Sequence, residues 1–115
     1  MPDLTLTRHS PNFATSPQLA AEDLAAVAAA GFRSVINNRP DFESTDQQQP
    51  TSEALATAAA RAGIRYVYMP VVPSEITEET VAEFSRLMAG LPAPILAFCY
   101  TGGRAAKLYR LASEG

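Results

Sequence analysis

A cysteine and an arginine separated by four residues, two of them glycines, form the part of the chain best suited to chemistry. The stretch reads Cys99-Tyr100-Thr101-Gly102-Gly103-Arg104, and Cys99 is the only cysteine. An apolar run precedes it and a helical pattern follows it, so loop amides and a helix N-terminus can surround an anion. The same field favours the thiolate of Cys99, a nucleophile toward sulfur or phosphorus. The alternative is a buried structural cysteine beside a surface arginine.

Length, charge and cysteine content limit the class of protein. At 115 residues the chain is expected to form a single domain, residues 1–115, with its own core. A formal net charge of -3 provides no basic surface and argues against nucleic acid as a partner. A lone cysteine indicates a reducing compartment, so we expect a cytoplasmic protein, and no apolar stretch approaches a membrane span. His9 has no ligating neighbours, so we expect no metal and no cofactor.

Helical and extended patterns alternate along the chain, and three of the predicted helices end at a glycine. The predicted helices are 19–30, 50–62, 78–90 and 104–113, and the clear strands are 32–37, 64–69 and 93–98. Two weaker extended stretches, 4–7 and 13–15, come first. Strands that are connected through helices in this way indicate a mainly parallel sheet with helices on both faces.

Polar turns follow the predicted strands and would gather at one edge of the sheet, where α/β proteins bind ligands. The first turn carries Arg39, Asp41 and Glu43, and the second carries Ser74 and Glu75. The first turn also fits a purely structural role, as an Asn/Pro/Asp turn with local hydrogen bonds. The polar residues 44–49 predict a mobile loop or lid.

Three segments together resemble one known family. Residues 31–41, 66–71 and 95–104 are similar, in order and spacing, to the family once called domain of unknown function 442. That family is also called the phosphatase-like domain of beta-lactamase hydrolase-like proteins, and some members are named sulfur transferases. The resemblance implies the fold of cysteine-dependent, dual-specificity-like tyrosine phosphatases, a three-layer α/β/α sandwich around a four- or five-stranded, mainly parallel sheet.

The resemblance also implies roles for the cysteine loop. Cys99 would be the nucleophile, Arg104 the oxyanion-binding arginine, and residues 100–103 the backbone cradle. Relatives occur fused to, or encoded beside, proteins that handle sulfide and persulfide, which implies a sulfide- or persulfide-oxidising enzyme as a partner.

The chain departs from the phosphatase pattern in three places. Four residues separate Cys99 from Arg104 where phosphatases have five, and four is the spacing of rhodanese sulfurtransferases. Phe98 stands where phosphatases place histidine, which removes one support for the thiolate. Residues 72–75 read Val-Pro-Ser-Glu where the phosphatases carry an aspartate that protonates the leaving group. Losing that proton donor costs about 10²–10⁴-fold in rate.

These departures favour sulfur transfer over phosphate chemistry. In this interpretation Cys99 takes sulfane sulfur from a small-molecule donor as a persulfide and passes it to a thiol or cyanide, since a thiolate leaves without a proton. The first alternative is a phosphatase that forms a phosphocysteine from a phosphomonoester, with Asp41 or Glu75 as the acid. The second is a non-catalytic anion-binding or redox-sensing module. Arg39, Glu43 and Glu75 are candidate accessory residues.

Overall fold

The computed structural model describes residues 4–44 and 49–114, and strands and helices alternate through most of that part of the chain. The strands are β1 (Thr7–Ser10), β2 (Phe13–Ser16), β3 (Ser34–Asn37), β4 (Arg65–Tyr68) and β5 (Ile95–Phe98). The helices are α1 (Asp23–Ala29), α2 (Ser52–Ala62), α3 (Glu78–Gly90) and α4 (Gly103–Glu114), with a 3₁₀ turn at Pro73–Glu75.

The strands form one sheet in the order β1-β2-β5-β3-β4. β1 pairs antiparallel with β2, and the other neighbours pair in parallel. This confirms the predicted mainly parallel sheet of four or five strands and gives it five. β5 is the central strand, so the loop that follows it has a neighbouring strand on each side.

Alternating side chains of β5 build the two hydrophobic cores. Leu96 and Phe98 belong to the cluster that α1 and α2 cover, whereas Ile95 and Ala97 belong to the cluster that α3 and α4 cover. Cys99 continues this alternation and lies in the second cluster. The sheet is thus the middle of three layers, and the sulfur of Cys99 lies on the α3/α4 side.

The loops after β3 and β5 lead to helices on opposite faces of the sheet. β3 leads into α2 on one face, and its neighbour β5 leads into α4 on the other face. The loops after two such strands diverge, and the crevice between them is the usual ligand site of open α/β sheets. Residues 38–43 and 99–103 border this crevice.

Two predicted boundaries near the N-terminus are wrong. β1 lies at 7–10 rather than 4–7, because Thr7 and Arg8 pair with Thr15 and Ala14 of β2. The leucines of the predicted strand pack against the core from an irregular segment instead. The Leu-Thr alternation therefore reports which side chains face the core rather than where the strand lies.

The first helix begins at Asp23 rather than at Leu19. The amide of Gln18 donates to the carbonyl of Tyr100 over 3.1 Å, and the amide of Ala20 donates to the Asp23 carboxylate over 2.8 Å. Both bonds hold the segment before Asp23 out of a helical conformation, while Leu19 remains buried. The bond from Gln18 fixes this segment against the cysteine loop. A helix over the same residues would not make these two contacts.

The predicted lid over 44–49 lies largely outside the described residues, which resume at Gln49. Gln49 is attached to the turn after β3, because its Nε2 donates to the carbonyl of Pro40 over 2.8 Å.

Within residues 4–44 and 49–114, no helix is long and apolar enough to cross a bilayer.

Candidate active site

Cys99 lies at the junction of β5, a tight loop and the N-terminus of α4. Its side chain is buried, and its Sγ accepts a hydrogen bond from the amide of Gly102 at 3.1 Å. The amide of Gly103, where α4 begins, turns toward the hydroxyl of Thr101 at 3.3 Å. The sulfur therefore lies at the positive end of a 12-residue helix dipole, in contact with a loop amide.

Gly102 has the backbone conformation that this contact requires. Its φ is +94°, a region that side chains strongly disfavour, and an added Cβ would lie 3.3 Å from the carbonyl carbon and oxygen of Ser16. That carbonyl belongs to the end of β2 and cannot move freely. The close approach of the loop to β2 therefore depends on glycine at this position.

Gly102→Ala is expected to lower the free energy of unfolding by about 1–2 kcal/mol. Turnover should fall by about tenfold or more, because the amide that contacts Sγ is displaced. Thermal melts and initial rates measure both effects. Gly103→Ala is the matched control for stability, because its added Cβ would meet only Thr101 Oγ1 at 3.5 Å. Equal melting temperatures for the two variants would contradict this account.

Arg104 is held by three groups on two loops. Its Nη1 donates to the carbonyls of Asn38 and Val71 at 3.2 and 3.0 Å, and its Nη2 donates to Glu43 Oε1 at 3.0 Å. Its side chain is only 9% exposed, yet Nε is buried without a hydrogen-bond partner in the described part of the chain. A buried, unpaired N–H costs free energy, so Nε is a donor that lacks its acceptor.

A hollow of about 300 Å³ connects the sulfur and the guanidinium to solvent. One wall is apolar, from the segment around the 3₁₀ turn, and the other comes from the cysteine loop and α4. None of its described lining residues carries a carboxylate. The lining consists of Pro73, Ile76, Cys99, Thr101, Gly103, Arg104 and Lys107.

The predicted accessory residues Arg39 and Glu43 belong to the same site. Arg39 is 4% exposed, and its Nε lies 3.2 Å from Glu43 Oε1, the oxygen that also contacts Arg104. Arg39 Nη1 donates to Gln18 at 3.0 Å, and its guanidinium stacks on the Tyr100 ring at 4.4 Å. A linked set of polar contacts therefore surrounds Arg104.

Asp41 and Glu75, the two predicted proton donors, have other surroundings. Asp41 Oδ1 accepts from the amide of Ser52 at 2.8 Å, which places its carboxylate at the N-terminus of α2. Glu75 lines a separate hollow with Val72 and Glu83. Neither residue lines the hollow over Cys99, and a catalytic role for either stays a prediction.

Tyr66 fastens the loop that carries these residues. Its hydroxyl is 2.8 Å from Ser52 Oγ and accepts from Asn37 Nδ2 at 3.0 Å, while Asn37 Oδ1 accepts from the amide of Arg39 at 2.9 Å. Burial raises the pKa of Tyr66 above its ordinary value, and the hydrogen bonds to Ser52 and Asn37 act in the opposite direction. The phenol links α2, β3 and β4 beneath the active-site loop.

The raised pKa gives alkaline pH a definite effect on stability. The folded protein holds the Tyr66 proton more tightly than the unfolded chain, so stability should fall as pH rises past about 10. Tyr66→Phe should lower the free energy of unfolding by about 1–2 kcal/mol near neutrality and lose less on going to about pH 11.

Urea titrations at the two pH values measure this difference. Tyr109→Phe is the control, because the Tyr109 hydroxyl forms no hydrogen bond with the described residues. If Tyr66→Phe and the wild type lose equal stability at alkaline pH, this role of Tyr66 is wrong.

Sequence reasoning missed Asn38 and Gln18. Asn38 is fully buried, donates to the Met69 carbonyl at 3.0 Å, and offers its own carbonyl to Arg104. Its polarity at the end of a buried strand was the available signal. Gln18 had no such signal, because its contact with Arg39 joins residues that are 21 positions apart.

His9 lies in β1, where the register with β2 shifts between Arg8 and Ser10. Its Nε2 is 2.9 Å from Thr15 Oγ1, and its ring packs against Phe13 and Tyr109. No group of three or more His, Cys, Asp or Glu side chains within residues 4–44 and 49–114 is arranged to hold a metal ion.

The sheet order, the cysteine loop at a helix N-terminus and the arginine above it define a phosphatase-like, cysteine-dependent α/β fold. Solved structures share it. A proposed phosphatase from Neisseria meningitidis superposes with a TM-score of 0.84 at 32% identity, covering 94% of this chain and 77% of that one. Pseudomonas aeruginosa TpbA, solved in complex with phosphotyrosine, has a TM-score of 0.72 at 18% identity over 97% of this chain and 65% of its own.

The chain belongs to the family described as the phosphatase-like domain of beta-lactamase hydrolase-like proteins, whose sequence profile matches residues 5–115. A beta-lactamase hydrolase-like protein of Xylella fastidiosa is 39% identical over 98 residues, 85% of this chain and 22% of that protein. One from Agrobacterium fabrum is 40% identical over 89 residues, 77% of this chain and 20% of that protein. The chain thus spans about a fifth of these relatives, and the predicted family and fold are confirmed.

Proposed function

We propose that the chain is a cysteine-dependent phosphatase that hydrolyses phosphomonoesters, with Cys99 as the nucleophile. The observation that carries this proposal is the buried, unpartnered Nε of Arg104 in a side chain that lines the same hollow as Cys99. A tetrahedral oxyanion above the sulfur would supply the acceptor that Nε lacks. The family description and the shared fold support the same chemistry.

The reaction would proceed in two steps. The Cys99 thiolate attacks phosphorus, an S–P bond forms, and the bond from phosphorus to the leaving oxygen breaks. Arg104 and the loop amides stabilise charge on the non-bridging oxygens. Water then attacks phosphorus, the S–P bond breaks, and inorganic phosphate and the thiolate are released.

The surroundings of the leaving group limit the substrates. Because no described residue brings a carboxylate into the hollow, no carboxylic acid is in place to protonate the leaving oxygen, which would depart as an anion or take its proton from a weaker donor such as water. A missing general acid costs about 10²–10⁴-fold, and the loss is smallest when the leaving alcohol is already acidic. Rates should therefore rise steeply as the leaving phenol of an aryl phosphate becomes more acidic.

Sulfur transfer is the second candidate, favoured by the same lack of a carboxylate and by the four-residue loop. With thiosulfate, the Cys99 thiolate would attack the outer sulfur, an S–S bond would form and sulfite would leave. A thiolate or cyanide would then take the sulfur and restore the Cys99 thiolate. The matching family description and the solved structures are phosphatase-like, so sulfur transfer ranks second.

One parallel assay separates these candidates. The protein is incubated with a series of aryl phosphates, with thiosulfate plus cyanide, and with glutathione persulfide plus a thiol. A phosphatase releases phosphate, whereas a sulfurtransferase forms thiocyanate and gains the mass of one sulfur atom on Cys99. If none of these substrates turns over, both candidates are wrong and a non-catalytic anion-binding or redox-sensing module is left.

The proposal also includes a partner and a cellular location for the protein. A sulfide- or persulfide-oxidising enzyme as partner, and a cytoplasmic location, stay predictions. Co-purification of the full-length protein from its own cells, with and without added sulfide, tests the partner.

A further inference from the structure

The loop after β3 holds a carboxylate between two arginines, and one of the two is Arg104. Glu43 Oε1 lies 3.0 Å from Arg104 Nη2 and 3.2 Å from Arg39 Nε. Glu43 and Arg104 are 61 positions apart in the chain, and they meet because β3 and β5 are neighbours. The Glu43 side chain is 23% exposed, so solvent weakens these contacts less than those of a surface ion pair.

We propose that Glu43 is a positioning residue that sets the orientation of Arg104, and that Arg39 holds Glu43 in place. The inference rests on the proposed function only in requiring that the site bind an anion. Backbone carbonyls fix Nη1 of Arg104, and Glu43 fixes Nη2. A planar guanidinium anchored at both Nη atoms cannot rotate, which leaves the N–H of Nε and the second N–H of Nη2 available to an anion.

Arg39 is itself fixed from several sides. Its Nη1 donates to Gln18, whose backbone amide donates to the carbonyl of Tyr100, and the Tyr100 ring covers the guanidinium. Tyr100 is the residue directly after the nucleophile. Arg39 therefore ties the position of Glu43 to the cysteine loop, so the anchor of Arg104 and the loop move together.

The charges of this group agree with an anion site. Two guanidinium groups and one carboxylate leave one unit of positive charge beside the hollow. Glu43 Oε1 accepts charge-assisted hydrogen bonds from both arginines, and Glu43 is not among the residues that line the hollow. Its geometry fits a hydrogen-bond acceptor that orients Arg104 rather than the missing proton donor.

The test uses the single cysteine and needs no natural substrate. Iodoacetate and iodoacetamide alkylate Cys99 by the same chemistry, but only iodoacetate carries a negative charge that Arg104 can bind. Wild type should react faster with iodoacetate than with iodoacetamide, relative to glutathione, by about tenfold, the range of one charge-assisted hydrogen bond. Glu43→Gln should bring this preference close to that of glutathione.

The sign of the change identifies the role of Glu43. Removing a negative charge should raise the preference for iodoacetate if only charge matters, whereas loss of the Arg104 orientation should lower it. In an Arg104→Lys background, Glu43→Gln should have no further effect, because both changes act on one group. Glu79→Gln, an exposed glutamate in the first turn of α3, is the matched control and should keep the wild-type preference.

Each outcome decides the inference. An unchanged or increased preference in a folded Glu43→Gln variant overturns it. If that variant does not fold, Glu43→Asp replaces it, keeps the charge and withdraws it by one methylene. An intermediate preference supports positioning, and an undiminished one overturns it. A wild type without any preference for iodoacetate overturns the proposed anion chemistry instead, so the two failures are distinguishable.

Discussion

Cys99→Ser is expected to abolish turnover, lowering kcat by roughly 10³-fold or more, the range seen when a covalent nucleophile is removed. A serine hydroxyl at this place would find no histidine or carboxylate among the described residues that line the hollow to take its proton. The fold should survive, because the Gly102 amide still finds an oxygen acceptor and the volume change is small. Initial rates with the best aryl phosphate, or with thiosulfate, measure the loss.

Binding of an inorganic oxyanion separates lost chemistry from lost structure. The Cys99→Ser variant should bind phosphate about as well as wild type in a calorimetric titration, because Arg104 and the loop amides are unchanged. Activity in the variant above one-tenth of the wild-type value would show that Cys99 is not the nucleophile. Unchanged activity would favour a different residue or a contaminating enzyme.

Arg104→Lys is expected to lower kcat/KM by about 10²–10³-fold, the loss produced when one donor to a developing oxyanion is removed. A lysine ammonium cannot hold two carbonyls and Glu43 while also offering a further N–H to the substrate. Because the charge is retained, the loss measures geometry rather than attraction. Competition by phosphate should weaken in parallel.

Arg110→Lys is the control for this change, since Arg110 is an exposed arginine of the same helix. It should leave kcat/KM and the melting temperature unchanged. A threefold effect or less in Arg104→Lys would contradict an oxyanion-binding role for Arg104.

The fold could be predicted from the sequence because its signals are local. β3, β4 and β5 lie in short stretches rich in β-branched, aromatic or other apolar residues and bounded by glycine, proline or asparagine. Their alternation with helices indicates parallel crossovers. β1 and the start of α1 could not be placed, because both depend on partners elsewhere in the fold. β1 is defined by its pairing with β2, and the delayed start of α1 depends on the bond from Gln18 to Tyr100.

The site could be predicted only where residue type and spacing determine it. Cys99, Gly102 and Arg104 lie within six consecutive residues, so their proximity follows from the motif. The shared contact of Glu43 with Arg39 and Arg104 is different, because it depends on which strands are neighbours and on side-chain directions at the sheet edge. For the same reason, sequence alone could not show that Asp41 contacts the start of α2.

Cys99 continues the row of β5 side chains that faces α3 and α4, and it lies in the hydrophobic cluster that also contains Ala105 and Leu108 of α4. Its sulfur therefore has one flank in the protein interior and the other toward the hollow. Selection for thermal stability and selection for reactivity consequently act on the same packing. A directed-evolution campaign that varies positions 105 or 108 to raise stability would also shift the sulfur of Cys99, so those two positions need an activity screen at every round.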